Sequence, residues 1–177
     1  VGSEMCIRDR LNSASAAQAA RAAGARYGGL IFVRESPRTV SRETARDIIS
    51  AEPGLDYVAV TRSSDIEELQ RLSDLPRLKA LQLHTPFQGS GEAEREFLRQ
   101  VRSVAGGLSV WRAVDMLNPD FAALATDLAP EVEALVLDSG SGGSGSTFEW
   151  TTIPPEVKDK SFLAGGLRLD TVSYTHL

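Results

Sequence analysis

Short uninterrupted apolar runs alternate along this chain with stretches of helical period, and that alternation constrains the fold more than any other feature. Arg26–Val33 (RYGGLIFV), Asp56–Thr61 (DYVAVT), Lys79–His84 (KALQLH), Leu108–Val114, Glu133–Leu137 and Ser161–Ala164 (SFLA) read as strands. Leu11–Ala23, Ser41–Ser50, Asp65–Leu72, Glu92–Ala105 and Pro119–Leu128 read as helices, with a short helical turn near Glu156–Lys160. In Ser41–Ser50, Ser41 is placed to cap, and Thr44, Ala45, Ile48 and Ile49 share one side. The strands are continuous apolar runs rather than alternating ones, which is the pattern of a parallel sheet covered on both faces. One βα unit recurs every roughly 25 to 30 residues, the length of a strand, a helix and their turns. An open doubly wound sheet and an incomplete (β/α)8 barrel both satisfy this pattern; a complete barrel usually takes at least ~200 residues.

Composition narrows the class. The chain has 177 residues, 42% of them apolar, with 19 Lys+Arg against 24 Asp+Glu. That apolar share supports a single-domain core and excludes a disordered chain. No apolar run approaches the roughly 20 residues that span a bilayer. A net charge of −5 leaves no basic footprint for nucleic acid. One cysteine makes neither an internal disulfide nor a Cys-cluster metal site, so no metal is expected and the expected compartment is the cytoplasm.

The two ends lack the period of the rest. Residues 1–10 (VGSEMCIRDR) run into an Ala-rich helix without a strand, and residues 171–177 (TVSYTHL) form a similar tail. Both resemble translated sequencing-adapter tails, so they are set aside as non-native, leaving residues 11–170 as the folded domain. Cys6 and His176 leave the list of functional groups with them.

In parallel α/β folds the chemistry collects where strands end, so polar residues just after strands are the candidates. Ser36-Pro37-Arg38 follows the first expected strand. Arg38 there is either a solvated loop arginine or a fork that clamps a carboxylate or phosphate. Asp138 ends the run Val136-Leu137-Asp138, where it either starts a turn or serves as a general acid or base. Gly140–Gly145 formally contains G-x-G-x-x-G, but Pro154-Pro155 follows where a dinucleotide fold needs a helix. A loop whose bare N–H groups approach an anion fits better, and Gly165-Gly166 after the last strand has the same capacity. His84 lacks metal-ligand companions and reads as a hydrogen-bonded structural histidine.

The ordered set Gly29-Leu30-Ile31-Phe32, Ser36-Pro37-Arg38, Leu81-Gln82-Leu83-His84, Leu137-Asp138-Ser139, Gly142 to Trp150 (GGSGSTFEW) and Leu163-Ala164-Gly165-Gly166-Leu167 resembles phosphoribosylanthranilate isomerase. The resemblance runs from about Leu11 to Leu167. It implies a (β/α)8 TIM barrel of tryptophan biosynthesis, incomplete here, with about six of eight βα units and the first and last strands missing. The implied reaction is the Amadori rearrangement of N-(5-phosphoribosyl)anthranilate to 1-(2-carboxyphenylamino)-1-deoxyribulose 5-phosphate, without a cofactor and with a small phosphorylated molecule as substrate; neither nucleic acid nor membrane is an expected partner. Asp138 would be the general acid on the furanose ring oxygen, and Arg38 would bind the anthranilate carboxylate. Gly142, Gly143 and Gly145 would cover the substrate, while Gly165 and Gly166 would cradle its phosphate.

The sequence also departs from the family. The family's base is a first-strand cysteine followed by glycine, and Cys6 lacks that context, so it is not assigned the role. Thr85 stands for a usual glycine and Glu149 for a usual aspartate. A barrel lacking its first and last strands leaves two edges unpaired, so a marginally stable, aggregation-prone and inactive chain is expected. Two alternatives remain. One is another phosphate-binding barrel such as indole-glycerol-phosphate synthase, a family that leans on lysine and glutamate at strand ends, where only Lys79, at a strand's start, and Glu35 come close. The other is a non-catalytic nucleotide-binding α/β module.

Overall fold

The computed structural model describes residues 7–8, 11–89, 91–138 and 153–164. These divide into two compact units, one running to Phe87 and including Arg99–Val110, the other comprising Gln88–Leu98 and the residues from Trp111 onward.

The first unit holds four parallel strands in sequence order: β1 (Ile7–Arg8), β2 (Tyr27–Phe32), β3 (Asp56–Thr61) and β4 (Leu78–Leu83). Helices α1 (Ala14–Ala22), α2 (Arg42–Ala51) and α3 (Ile66–Ser73) supply the crossovers. Each begins at an oxygen-bearing cap. Ser13 Oγ accepts from Ala16 N, Ser41 Oγ from Thr44 N, and Asp65 from Glu67 N and Glu68 N. Capping at Ser13 is why α1 starts at Ala14 rather than at Leu11. Leu11 instead continues the extended chain, its N–H donating to Gly29 O at 2.9 Å and its side chain buried.

β1 corrects one expectation. Residues before Leu11 were expected to hold no strand, yet Ile7 and Arg8 pair in parallel with Tyr27 and Gly28. A two-residue strand forms through backbone bonds alone and leaves no side-chain period to read.

Register sorts the side chains of the first unit between two faces. Leu30, Tyr57, Ala59, Leu81 and Leu83 share the face that meets α2, where the Tyr57 hydroxyl donates to Glu52 O at 2.7 Å and Ile48 O at 3.3 Å. Val58, Ala80 and Gln82 are buried on the opposite face. A Cβ at Gly28 would lie 2.6 Å from Leu11 Cδ1, so a side chain there requires the Leu11 side chain to shift.

The second unit carries β5 (Ser109–Asp115) from Trp111 onward, then β6 (Ala134–Asp138) and β7 (Ser161–Ala164), paired in parallel in that order. α5 (Phe121–Leu128), a 3-10 turn (Ala129–Glu131) and α6 (Pro155–Lys158) connect them. α4 (Gly91–Val104) gives its first half to this unit. Arg112, 2% exposed in mid-β5, donates from Nε to Glu94 Oε1 of α4 at 2.7 Å; Glu94 is fully buried. The other Glu94 oxygen accepts from Gln88 N at 2.9 Å. One carboxylate thus neutralises a charge set in an apolar strand and also anchors the segment leading into α4. On the opposite face of these strands Trp111 packs on Phe162, with ring centroids 4.6 Å apart.

Removing one partner of a buried pair leaves the other charge uncompensated. Glu94→Ala is expected to lower unfolding free energy by about 3–5 kcal/mol in urea titrations, and Glu94→Leu with Arg112→Met to recover at least about half of it. A loss below about 1 kcal/mol for the single variant would contradict this account.

Tyr57 supplies a pH-dependent test. Burial foremost, with the nearby Glu52 charge, pushes its phenol up to about 12, against a smaller opposing pull from Arg77. From about pH 10 upward the unfolded chain releases this proton while the folded chain holds it, so stability falls until about pH 12. Tyr57→Phe should flatten that part of the stability profile, measured as urea midpoints between pH 9 and 12; an unchanged slope would refute it.

Candidate active site

The residues singled out as functional lie in both units and are described within each. In the first, the chain leaves β2 through a tight turn in which Ser36 N donates to Val33 O at 2.9 Å and Thr39 N to Ser36 O at 3.1 Å. Ser36 Oγ accepts from Arg38 N at 3.2 Å, and Thr39 bridges back to Ile31. Arg38 is therefore anchored by its main chain at the carboxyl end of β2. Its side chain is exposed, and its guanidinium forms no ion pair among the described residues. The guanidinium thus takes no part in the ion pairs that hold the described fold.

At the end of β4, Gln82 Nε2 lies 2.7 Å from His84 Nε2; an amide nitrogen only donates, so the ring nitrogen accepts. His84 N donates to Thr61 O at 2.8 Å. His84 is a hydrogen-bonded histidine, as its sequence context suggests. Thr85 is 5% exposed and its hydroxyl has no partner among the described residues.

In the second unit Asp138 closes β6. It is half-buried, in register with Asp115 of β5 and Ala164 of β7, and its carbonyl accepts from Met116 N at 2.8 Å. Counting along the register puts Trp111, Ala113 and Asp115 of β5, Val136 and Asp138 of β6, and Phe162 of β7 on one sheet face. The face therefore has an aromatic pair along its middle and two carboxylates where the strands end.

Gly142, Gly143 and Gly145, Gly165 and Gly166, and the set-aside Cys6 and His176 lie outside the described residues. Three residues here were missed in the sequence. Asp115 ends β5 as Asp138 ends β6, and the same strand-end rule, applied to Val114-Asp115, finds it. Arg112 carries a weaker signal, a charge inside an apolar run that demands a buried partner, but nothing local points to Glu94. Among the described residues no helix is long and apolar enough to cross a membrane.

Comparison with known proteins extends these observations. The "Tryptophan biosynthesis protein TrpCF" of Corynebacterium glutamicum is 48% identical over 165 residues, which cover 92% of this chain and 34% of that protein. The chain thus spans about a third of the length of the curated relatives it matches. The phosphoribosyl anthranilate isomerase of Thermotoga maritima superposes with a TM-score of 0.76 at 25% identity, over 95% of this chain and 80% of the other. Another phosphoribosyl anthranilate isomerase, 24% identical, shares the fold with a TM-score of 0.72 over 95% of this chain and 78% of its own; it was solved with reduced 1-(o-carboxyphenylamino)-1-deoxyribulose 5-phosphate. The family model for N-(5'-phosphoribosyl)anthranilate (PRA) isomerase matches residues 7–176, and the chain belongs to that family.

Proposed function

We propose that the protein carrying this chain isomerises N-(5-phosphoribosyl)anthranilate to 1-(2-carboxyphenylamino)-1-deoxyribulose 5-phosphate in cytoplasmic tryptophan biosynthesis. The observation that carries the reading is the family match over residues 7–176, joined to a carboxylate at the carboxyl end of β6. The fold in this reading is part of a (β/α)8 barrel built on residues 11–170 and extended by the Ile7–Arg8 strand.

The chemistry asks little of the protein. An aminoaldose becomes an aminoketose when the furanose ring opens and one proton moves from carbon to carbon, so an acid and a base suffice. Asp138 is the acid: its carboxyl protonates the ring oxygen as the C1–O bond breaks, and its place at the strand end holds it at a set position on a rigid element. Arg38 binds the anthranilate carboxylate through its exposed guanidinium, oriented by the Ser36 turn. Gly142, Gly143 and Gly145 close over the substrate, and Gly165 and Gly166 receive its phosphate through backbone N–H groups.

In the full-length protein Asp138→Asn is expected to lower kcat by about 100-fold or more, with KM changed far less, since the acid acts in the transition state. A loss under about tenfold would remove Asp138 from the role. Arg38→Met is expected to do the opposite, raising KM by about tenfold or more through loss of a charge-assisted bond to the carboxylate. Steady-state kinetics with the phosphoribosyl substrate separate the two, and an unchanged KM for the arginine variant would place the carboxylate elsewhere.

A further inference from the structure

Register sets Ile31, Val60 and Gln82 side by side across β2, β3 and β4, on the face away from α2. Gln82 is the polar member of that row and is 4% exposed. An amide closed into an apolar row needs a partner, since burial without one costs the whole desolvation of the group.

The partner is the histidine two positions ahead. β4 ends at Leu83, and the ladder runs one step further, with His84 N donating to Thr61 O at 2.8 Å. Alternation therefore keeps His84 on the face of Gln82, and the amide Nε2 lies 2.7 Å from the ring Nε2. Main chain and side chain together fix the imidazole at the carboxyl end of β4, the end of a parallel strand where α/β enzymes place their chemistry.

This contact decides where the imidazole carries its proton. An amide nitrogen donates and cannot accept, so the ring Nε2 is the acceptor. A neutral imidazole with a bare Nε2 carries its hydrogen on Nδ1, and an imidazolium accepts at neither nitrogen. Nε2 commits its lone pair to Gln82 while Nδ1 holds a proton. The ring then has a hydrogen to donate and no lone pair with which to take one up.

We propose that Gln82 is a positioning residue that fixes His84 as the Nδ1–H tautomer, so that His84 serves the isomerisation as a hydrogen-bond donor to a substrate oxygen and another group takes the proton from carbon. The role rests on the isomerase reading and deepens it; the tautomer stands on the Gln82 contact alone. The phosphoribosyl substrate brings a carboxylate, sugar oxygens and a phosphate, all of them acceptors. A neutral N–H held on a rigid strand meets such an oxygen without rearranging as charge develops on it.

The tautomer is read directly by two-bond 1H–15N correlation in the full-length protein at about pH 8, where an ordinary histidine is neutral. The His84 signals are identified by their loss in His84→Asn. A pyrrole-type Nδ1 and a pyridine-type Nε2 are expected. Gln82→Leu removes the donor, and part of the signal should move to the Nε2–H form. Gln82→Glu presents only acceptors and should place a hydrogen on Nε2, lowering kcat/KM by about tenfold or more. A wild-type spectrum with Nε2 protonated overturns the inference. So does a folded Gln82→Leu protein that keeps the pure Nδ1–H form, or a Gln82→Glu enzyme with Nε2 protonated and kcat/KM within about twofold of wild type. Should Gln82→Leu fail to fold, the wild-type spectrum and Gln82→Glu decide. Asp138→Asn kinetics separate the two readings: turnover kept there removes the isomerase assignment and the donor role with it, whereas turnover lost there beside a protonated wild-type Nε2 removes only the part given to Gln82.

Discussion

Parallel strands buried on both faces leave almost no room for polar side chains along their length, and that constraint shapes everything else in this chain. Val58 and Tyr57 leave β3 in opposite directions and are both fully buried; in β6 every residue from Ala134 to Leu137 is buried. Backbone bonds run sideways to the next strand and satisfy the main chain. A polar side chain in such a strand must bring its partner with it or sit at the end. Gln82 and Arg112 follow the first course, through His84 and Glu94; Asp115 and Asp138 follow the second.

The Arg112–Glu94 pair shows what the first course involves. A guanidinium and a carboxylate are both taken out of water, and their attraction has to offset that desolvation. Their value to the fold lies in specificity. With Glu94 bonded to both Arg112 and the Gln88 amide, the first turns of α4 have one place against β5. A sliding helix would strand a charge in an apolar layer. Apolar residues at the same positions would tolerate several registers.

The strand ends carry the opposite logic. Asp115 and Asp138 stand at matched register on adjacent strand ends, where a polar side chain is no longer closed in along the strand. The aromatic pair packs the middle of that face, and the carboxylates stand at its edge.

Much of this was legible in the residues. The apolar runs announced β2 to β7 because buried parallel strands leave a continuous hydrophobic signature, and the cap at Ser41 announced where α2 begins. Asp138 and Arg38 were found by their place after strands, and family membership was legible in six short motifs kept in order. β1 was not, since two residues paired through their backbones carry no side-chain pattern. Glu94 was not either, because its partner lies 18 positions away and nothing local marks a glutamate for burial. Sequence alone determined the six strands β2 to β7, the helices between them and what residue types stand at their ends, since period and capping are local properties. Tertiary structure alone decided which carboxylate stands beside which: Asp115 and Asp138 become neighbours only through the pairing of β5 with β6, and register is a property of two strands that neither one contains.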